Sequence, residues 1–332
     1  MTLKDRSRLV LVWALCTSGC ASIPVRKPDQ AANAAGATLW RDPGETAALN
    51  LLYGAGGQEH APDPNGTFTF VKEDLDGTSP KFDVKDDHGV EWKVKLGQEP
   101  QSETAATRFL WATGYFADED YYLATFKVSG APTLRRGRNY VSADGTVHRA
   151  RLERKTPDVK KISSWDWFRN PFVGTQEFDG LRTMMAFLND WDLKAMNNSV
   201  YEVAGERRYV VSDIGATFGR TGSIGTGSQS NPRDYAASTF IRKTTPEAVD
   251  FVMRTRPMFL LAIDIPVYRE RTRMEGIVRR VPRPHAHWVG HRLSMLSPRQ
   301  IGDAFRAAGY NADEIVTFSQ AVLKRIAALD AL

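Results

Sequence analysis

The sequence has little cysteine and no long hydrophobic run. Its 332 residues contain two cysteines, Cys16 and Cys20, both near the N-terminus. Cleavage before Cys20 would leave a single cysteine, so no intramolecular disulfide could form in the mature chain. Beyond the N-terminal segment, no stretch reaches the ~18 consecutive apolar residues of a transmembrane helix, which predicts a soluble remainder.

Charge of one sign is also scarce. The formal net charge is +5, and Lys4, Arg6 and Arg8 against Asp5 account for +2 of it, which leaves +3 for the rest. So small a surplus does not indicate nucleic-acid binding, and we expect no nucleic-acid partner. Because 42% of the residues are hydrophobic, the chain can bury a sizeable core in one large or two medium domains.

The N-terminus predicts export. Basic residues precede the apolar run 9–16, which is too short to span a bilayer but suits a signal-peptide core. The Thr-Ser-Gly-Cys that follows resembles a bacterial lipobox, although Thr17 stands where Leu is usual, and ordinary cleavage or an uncleaved anchor are the alternatives. The resemblance implies a lipoprotein signal peptide at 1–19 and lipidation of Cys20. The chain would then be lipid-anchored in the bacterial cell envelope, facing the periplasm or the exterior.

An irregular segment and then a strand-rich segment should follow the anchor. Residues 20–65 are rich in Pro, Gly, Ala and Asn without apolar periodicity, which predicts a tether and irregular structure. From residue 67 apolar and polar residues alternate, as in strands. Strands are expected at 67–71, 81–85, 90–96, 121–128 and 147–153, with one helix at 102–113.

The second half is predicted to be mainly helical. Apolar residues recur at helical spacing from Phe178 to Leu188 and predict one buried helix face. A strand is expected at 208–212. Further helices are expected at 246–253, at 298–308 with Ser297 as N-cap, and at 312–329.

Two acidic motifs follow the predicted buried helix. Asp192 and Asn197 form an Asp-x-x-x-x-Asn loop, and Asp213, 21 residues after Asp192, precedes Gly215. Asp190 and Asp192 follow the end of the predicted helix, and a core segment would not contain two such carboxylates, because unpaired buried charge is expensive. Their oxygens suit magnesium. A solvated turn is the alternative for the loop, and the neighbouring Asp190 can instead be a helix-end or structural residue.

Several cationic and loop residues can hold phosphates. A nucleotide's triphosphate needs backbone donors and a cation. Gly77, Ser79 and Lys81 can supply both, although an ordinary hairpin turn is the alternative. Lys93 and Lys95 share one strand face, so the choice between them as the phosphate-binding lysine is open. They can also be two exposed lysines on an edge strand.

These motifs occur in an order that resembles a known family. The loop 77–81, Lys95 in a strand, Glu103 opening a helix, the stretch 181–198 and Asp213 look like HipA-type kinases and, more distantly, phosphatidylinositol-kinase-like enzymes. The resemblance covers roughly residues 67–260. It implies an α+β, bilobal, protein-kinase-like fold. A small β-rich N-lobe with one helix would lie at 66–155, and a mainly α C-lobe at 156–332.

The resemblance also implies roles. Asp192 would position the acceptor, Asn197 and Asp213 would hold magnesium, and Lys95, oriented by Glu103, would contact phosphates. Gly77, Ser79, Lys81 and Lys93 would complete the nucleotide site. The implied cofactors are ATP or another nucleotide and magnesium.

The implied function is transfer of a nucleotide's γ-phosphoryl group to an unknown hydroxyl of a protein, lipid or sugar. A lipoprotein faces the far side of the inner membrane, where ATP is scarce. The alternative is therefore a catalytically inactive kinase-like lipoprotein that acts as a binding module, and a structural lipoprotein is a third possibility. The Gly/Ser-rich tract 219–228 lies where an activation segment would lie and lacks the Gly-Lys-[Ser/Thr] of a Walker site.

Overall fold

A computed structural model describes residues 36–220, 227–253 and 264–332. The predicted signal peptide, the lipidation site Cys20 and most of the Gly/Ser-rich tract lie outside these ranges. Within them the chain is a mixture of helices and sheets, as the α+β prediction required. Among the described helices, none is both long and apolar enough to cross a bilayer.

The described part of the predicted tether is packed against the fold. β1 (Ala37–Thr38) pairs in parallel with residues 207–208, and Leu39 and Leu51 are buried. The expectation of a free tether is therefore wrong from residue 37 onward. Isolated apolar side chains fix this segment, and they produce no periodic signal. The remainder up to residue 65 is irregular apart from two short 3₁₀ turns, Thr46–Ala48 and Gly54–Gly56.

The five predicted strands of the first half form a closed barrel instead of an open sheet. The strands are β2 (Phe68–Asp74), β3 (Lys81–Asp86), β4 (Glu91–Lys95), β5 (Asp120–Ser129) and β6 (Thr146–Arg154). Their order around the barrel is β2-β3-β4-β6-β5. The barrel closes because β2 pairs antiparallel with β3 and in parallel with β5.

Alternation along the strands separates an apolar interior from a charged outer face. Trp92 and Val94 of β4 and Leu152 of β6 pack inside the barrel. Lys93 and Lys95 alternate with them and therefore lie on the outer face, as expected for period two. Helix α1 (Glu99–Ala112) packs on that face, where it reaches Lys95.

Helix α1 begins one turn earlier than predicted. Pro100 lies in its first turn, a position that suits proline because its missing N–H would have no helical partner there. Glu103 therefore lies in the second turn, and the expectation that it opens the helix is wrong. Glu99 takes the first turn instead, and this places two carboxylates one turn apart on the same helix face.

The second half contains six helices among the described residues and two small sheets. The sheet orders are β1-β9-β8-β7 and β10-β11-β12. The helices are α2 (Gln176–Leu188), α3 (Pro232–Ala237), α4 (Ile265–Glu275), α5 (Arg283–Ser294), α6 (Pro298–Ala307) and α7 (Ala312–Asp330). The strands are β7 (Lys160–Ser163), β8 (Asn198–Val203), β9 (Glu206–Val211), β10 (Ile241–Thr244), β11 (Ala248–Phe251) and β12 (Val281–Pro282).

One predicted helix is a strand. Residues 248–251, expected within the helix 246–253, form β11 between β10 and β12. Val249 and Phe251 are buried while Ala248 and Asp250 are half-buried, which is the period of a strand and not of a helix. The predicted cap at Ser297 is confirmed, since Ser297 and Gln300 form a reciprocal capping box.

An aromatic cluster joins α1 to the second half. The ring of Phe109 lies 5.9 Å from Phe187 of α2 and 5.6 Å from Phe305 of α6. Phe218 and Phe318 extend the cluster, and all five rings are fully buried. This packing fixes the position of α1, and with it the two carboxylates of its first turns.

Candidate functional site

Lys95 is surrounded by three carboxylates from two different segments. Its Nζ atom lies 2.6 Å from Glu99 Oε2, 2.9 Å from Glu103 Oε2 and 3.0 Å from Asp213 Oδ1. Lys95 and Glu103 are buried, whereas the side chain of Asp213 is 50% exposed. The three carboxylates and the amine thus form a cluster that is closed on the protein side and open at Asp213. We call these four residues the Lys95 cluster.

Each member of the Lys95 cluster is held by a regular element. Lys95 ends β4, and Glu99 and Glu103 project from α1. Asp213 follows β9, and the backbone N–H groups of Ser212 and Asp213 both donate to the carbonyl oxygen of Asn197, at 2.9 and 3.1 Å. The end of the Asp-x-x-x-x-Asn loop is therefore bonded directly to the segment that carries Asp213.

Burial and neighbouring charges shift the pKa values of the residues in the Lys95 cluster. Burial alone would lower the pKa of Lys95, but the carboxylates of Glu103, Asp213 and Glu99 outweigh it and raise the pKa. Burial raises the pKa of Glu103 to about 7 against the opposing charges of Arg151 and Lys95. Burial would also raise the pKa of Asp213, but Lys95 outweighs it and lowers that pKa. Lys95 and Asp213 are therefore both charged at neutral pH.

Arg151 extends the cluster along the barrel. Its guanidinium lies 3.5 Å from Glu103 Oε2, 2.7 Å from Asp120 Oδ1 and 2.9 Å from Glu153 Oε2. Arg151 stands directly opposite Lys95 on the neighbouring strand. Neither Arg151 nor Glu99 is among the site residues predicted from the sequence. The position of Glu99 could be predicted, since it precedes Glu103 by one helical turn. The position of Arg151 beside Lys95 can be recognised only when the pairing of the strands is known.

The predicted catalytic loop folds around Asp192. Lys194 Nζ lies 2.8 Å from Asp192 Oδ1, and Asn197 Nδ2 donates to Asp192 O at 2.7 Å and to Asp192 Oδ2 at 3.3 Å. These contacts use the amide nitrogen of Asn197, and its amide oxygen makes no hydrogen bond to the residues that the structure describes. The structure thus brings Asp192, Asn197 and Asp213 into one neighbourhood.

Of the four predicted nucleotide-binding residues, Ser79 contacts the Lys95 cluster, because its Oγ donates to Glu99 Oε2 at 2.8 Å. Lys81 stands opposite Lys95 in register, but its Nζ lies 3.5 Å from Asp74 Oδ2. Lys93 is half-buried opposite Glu153. Gly77 lies at the exposed loop with a φ of 65°, the left-handed region that favours glycine.

A cavity of about 760 Å³ lies between the barrel and the β8–β9 hairpin. Its walls include the acidic side chains of Asp118 and Glu153 and the apolar or aromatic side chains of Tyr201, Val203 and Val210. Lys95, Asp192, Asn197 and Asp213 do not line it. Glu153 nevertheless connects the cavity to the Lys95 cluster through Arg151 and Glu103.

Comparison with known proteins yields structural likenesses only. No family model matches the sequence, and no curated protein matches it significantly. The crystal structure of the Helicobacter pylori proinflammatory kinase CtkA is similar over 79% of this chain and 96% of that chain, with 10% identity and a TM-score of 0.46. The crystal structure of a Golgi casein kinase is similar over 81% and 75%, with 11% identity and a TM-score of 0.28.

Proposed function

We propose that the chain is a bilobal, kinase-like phosphotransferase that moves a nucleotide's γ-phosphoryl group to a hydroxyl acceptor. The observation that carries the proposal is the convergence of Lys95, Glu103 and Asp213, with Nζ–O distances of 2.9 and 3.0 Å, beside the Asp192–Asn197 loop. Phosphoryl transfer requires little covalent chemistry from a protein. It depends on positioning and on stabilisation of negative charge, which these residue types supply.

In this proposal Lys95 binds the nucleotide's phosphates. The buried carboxylate of Glu103 stabilises the charged form of Lys95 and orients its ammonium group through the 2.9 Å contact between Lys95 Nζ and Glu103 Oε2. Ser79 adds a hydroxyl donor from the β2–β3 loop, and Gly77 allows the loop backbone to approach the phosphates. Lys81 and Lys93 lie on the same outer face of the barrel and add positive charge around the site.

The residues at the open side of the cluster fit magnesium. Magnesium prefers hard oxygen ligands and retains several waters, so it needs few protein ligands and access to solvent. Asp213 offers an ionised, half-exposed carboxylate, and Asn197 offers its amide oxygen, since its contacts with Asp192 use the amide nitrogen. Bound there, magnesium would neutralise charge on the phosphates.

Asp192 is assigned to the acceptor. Its carboxylate is held by Lys194 and by the amide of Asn197, so its orientation is fixed before an acceptor arrives. A carboxylate in this position accepts a hydrogen bond from the acceptor hydroxyl and can take up its proton as the new O–P bond forms. Lys194 adds a cation beside that carboxylate.

The cavity of about 760 Å³ has room for the nucleoside. Glu153, in its wall, lies two residues along β6 from Arg151, which faces Lys95. Two strand residues span roughly 7 Å, a distance that a nucleotide bridges between its base and its inner phosphates. The apolar floor formed by Tyr201, Val203 and Val210 suits the flat faces of a base.

Ligand-induced stabilisation tests the proposal. The chain, purified in detergent, should melt at a higher temperature with ATP and magnesium, because a ligand that binds only the native state shifts unfolding. Asp213→Ala should abolish most of the shift, whereas Asp144→Ala, on an exposed hairpin of the barrel, should keep it. No shift, or an equal shift in Asp213→Ala, would contradict the proposal.

A binding module without catalysis is the second candidate. It is favoured by the contact between Lys95 and Glu99, which at 2.6 Å is the shortest in the cluster and satisfies Lys95 with the protein's own carboxylate. In that case a partner captured from the cell envelope should still be captured by Asp192→Ala. Loss of capture in this variant with folding intact would contradict the second candidate.

A further inference from the structure

Asp190 is a buried carboxyl group that the proposed mechanism does not use. It lies between the end of α2 and Asp192 and is fully buried. Its Oδ1 accepts a hydrogen bond from the backbone N–H of Asp192 at 3.1 Å, and its own N–H donates to the carbonyl oxygen of Met185 at 2.9 Å. Its Oδ2 is equally buried, and within the part of the chain that the structure describes it has no hydrogen-bond partner.

The bend that precedes Asp190 is rigid. Asn189 adopts a left-handed conformation with a φ of 56°. Its Oδ1 accepts from Arg325 Nη1 at 3.1 Å, and its Nδ2 donates to Gly219 O and Ser238 Oγ, both at 2.8 Å. Three separate segments thus hold Asn189, and the Asp190 side chain is the next link between this fixed bend and Asp192.

A buried carboxyl group with one unpaired oxygen lowers the stability of the fold, so its presence calls for an explanation. Burial raises the pKa of Asp190 well above its usual range; the hydrogen bond from the Asp192 N–H opposes this rise, and the carboxylates of Asp192, Asp213 and Glu103 add to it. A neutral carboxyl group keeps its carbonyl oxygen as an acceptor for the Asp192 N–H. An amide of the same shape can provide the same acceptor, whereas a methyl group cannot.

We propose that Asp190 is a positioning residue, whose hydrogen bond to the Asp192 backbone fixes the Asp192 carboxylate relative to Asn197 and Asp213. The inference rests on the proposed function, in which Asp192 handles the acceptor. Asp190 itself touches neither nucleotide nor acceptor. Its effect should therefore appear in turnover and not in nucleotide affinity.

The test compares Asp190→Asn with Asp190→Ala in the full chain, by measuring the ADP and inorganic phosphate that form when the γ-phosphoryl group of ATP, supplied with magnesium, is transferred to water. Asp190→Ala should lower kcat by about 10- to 100-fold with KM for ATP unchanged, because small displacements of a reacting group have effects of this order. Asp190→Asn should retain the kcat of the unmodified chain. Asp166→Ala is the matched control, since Asp166 Oδ1 accepts the same kind of bond, from Phe168 N–H at 2.8 Å, outside the site.

The outcomes separate this inference from the proposed function. If Asp190→Asn is as impaired as Asp190→Ala, or if Asp190→Ala loses only thermal stability, as the control does, the positioning role is overturned. If ATP and magnesium stabilise the chain but no ADP forms, phosphoryl transfer fails and crystal structures of the two variants decide about Asp190. The bond between Asn197 Nδ2 and Asp192 O should then be lost in Asp190→Ala and kept in Asp190→Asn. An unchanged loop in Asp190→Ala overturns the role.

Discussion

The ammonium group of Lys95 lies closer to Glu99 than to Glu103, at 2.6 Å against 2.9 Å. Glu99 Oε2 also accepts a hydrogen bond from Ser79 Oγ at 2.8 Å. One carboxylate oxygen therefore links the β2–β3 loop to the lysine that we assign to phosphate binding. An incoming phosphate group would need the same two donors, so Glu99 and the nucleotide should compete.

Removal of this competitor should strengthen nucleotide binding. Glu99→Gln keeps the shape of the side chain but removes its charge, so Lys95 becomes more available to phosphate. We expect the affinity for ATP with magnesium to rise by about fivefold, the upper end for a partly exposed ion pair. Isothermal titration calorimetry measures the change. Glu103→Gln is the comparison and should weaken binding, because it removes the residue that orients Lys95. Weaker binding in Glu99→Gln would show that Glu99 assists the nucleotide instead.

Glu103 should make stability depend on pH. Its pKa of about 7 in the folded protein exceeds the ~4.3 of an unfolded glutamate. The native state therefore holds more protons than the unfolded state between these values, and this contribution to stability is lost as pH rises through 7. Urea unfolding of the unmodified chain and Glu103→Gln should yield a stability difference that changes mainly between pH 4.5 and 7.5. A constant difference across this window would contradict the assignment.

The aromatic cluster should support both stability and the site. Phe109→Ala empties a fully buried position between α1, α2 and α6, and should lower the free energy of unfolding by about 3–5 kcal/mol. Chemical denaturation measures this loss. Nucleotide-induced stabilisation should also decline, because α1 carries Glu99 and Glu103. Phe168→Ala, at a half-buried ring, should cost less. An equal decrease in the free energy of unfolding in the two variants would mean that the aromatic cluster stabilises the fold no more than a half-buried ring does.

The proposed lipid anchor is tested at Cys20. If the N-terminal segment directs lipidation, the unmodified chain should fractionate with membranes and carry an acyl mass. Cys20→Ala should lose both, because the thiol is the only site of attachment in the proposed lipobox. Cys16→Ala is the control, since that residue would be removed with the signal peptide. Unchanged fractionation of Cys20→Ala without any acyl mass in the unmodified chain would refute the anchor.

Elements with a clear period were predictable, whereas pairings between distant segments were not. Apolar and polar residues alternate along β4, and the α2 stripe repeats at helical spacing, so both elements appear in the sequence. The short run 248–251 has too few residues to distinguish a strand from a helix, and its burial became clear only between β10 and β12. β1 has two residues and no local signal at all.

The site shows the same division. Asp192, Asn197 and Asp213 stand at the ends of predicted elements, and their residue types suggested chemistry before any coordinates. Glu99 lies outside the helix if that helix is expected to begin at residue 102, one turn after its observed start, so the predicted helix does not place it beside Glu103. The contact between Arg151 and Glu103 is not evident from the sequence, because it depends on which strand lies beside β4, and local sequence does not determine this.

Closure of the barrel also limits where another chain can add a strand to this protein. Strands β3, β4 and β6 each pair on both sides, whereas β2 and β5 close the barrel through a short contact, at Phe68–Val128 and Thr69–Ser129. In the four-stranded sheet, by contrast, β7 is an outer strand, and all four of its residues are exposed. Within the described part of the chain, β7 therefore offers strand addition an exposed edge, whereas β4, which carries Lys95, already pairs on both sides.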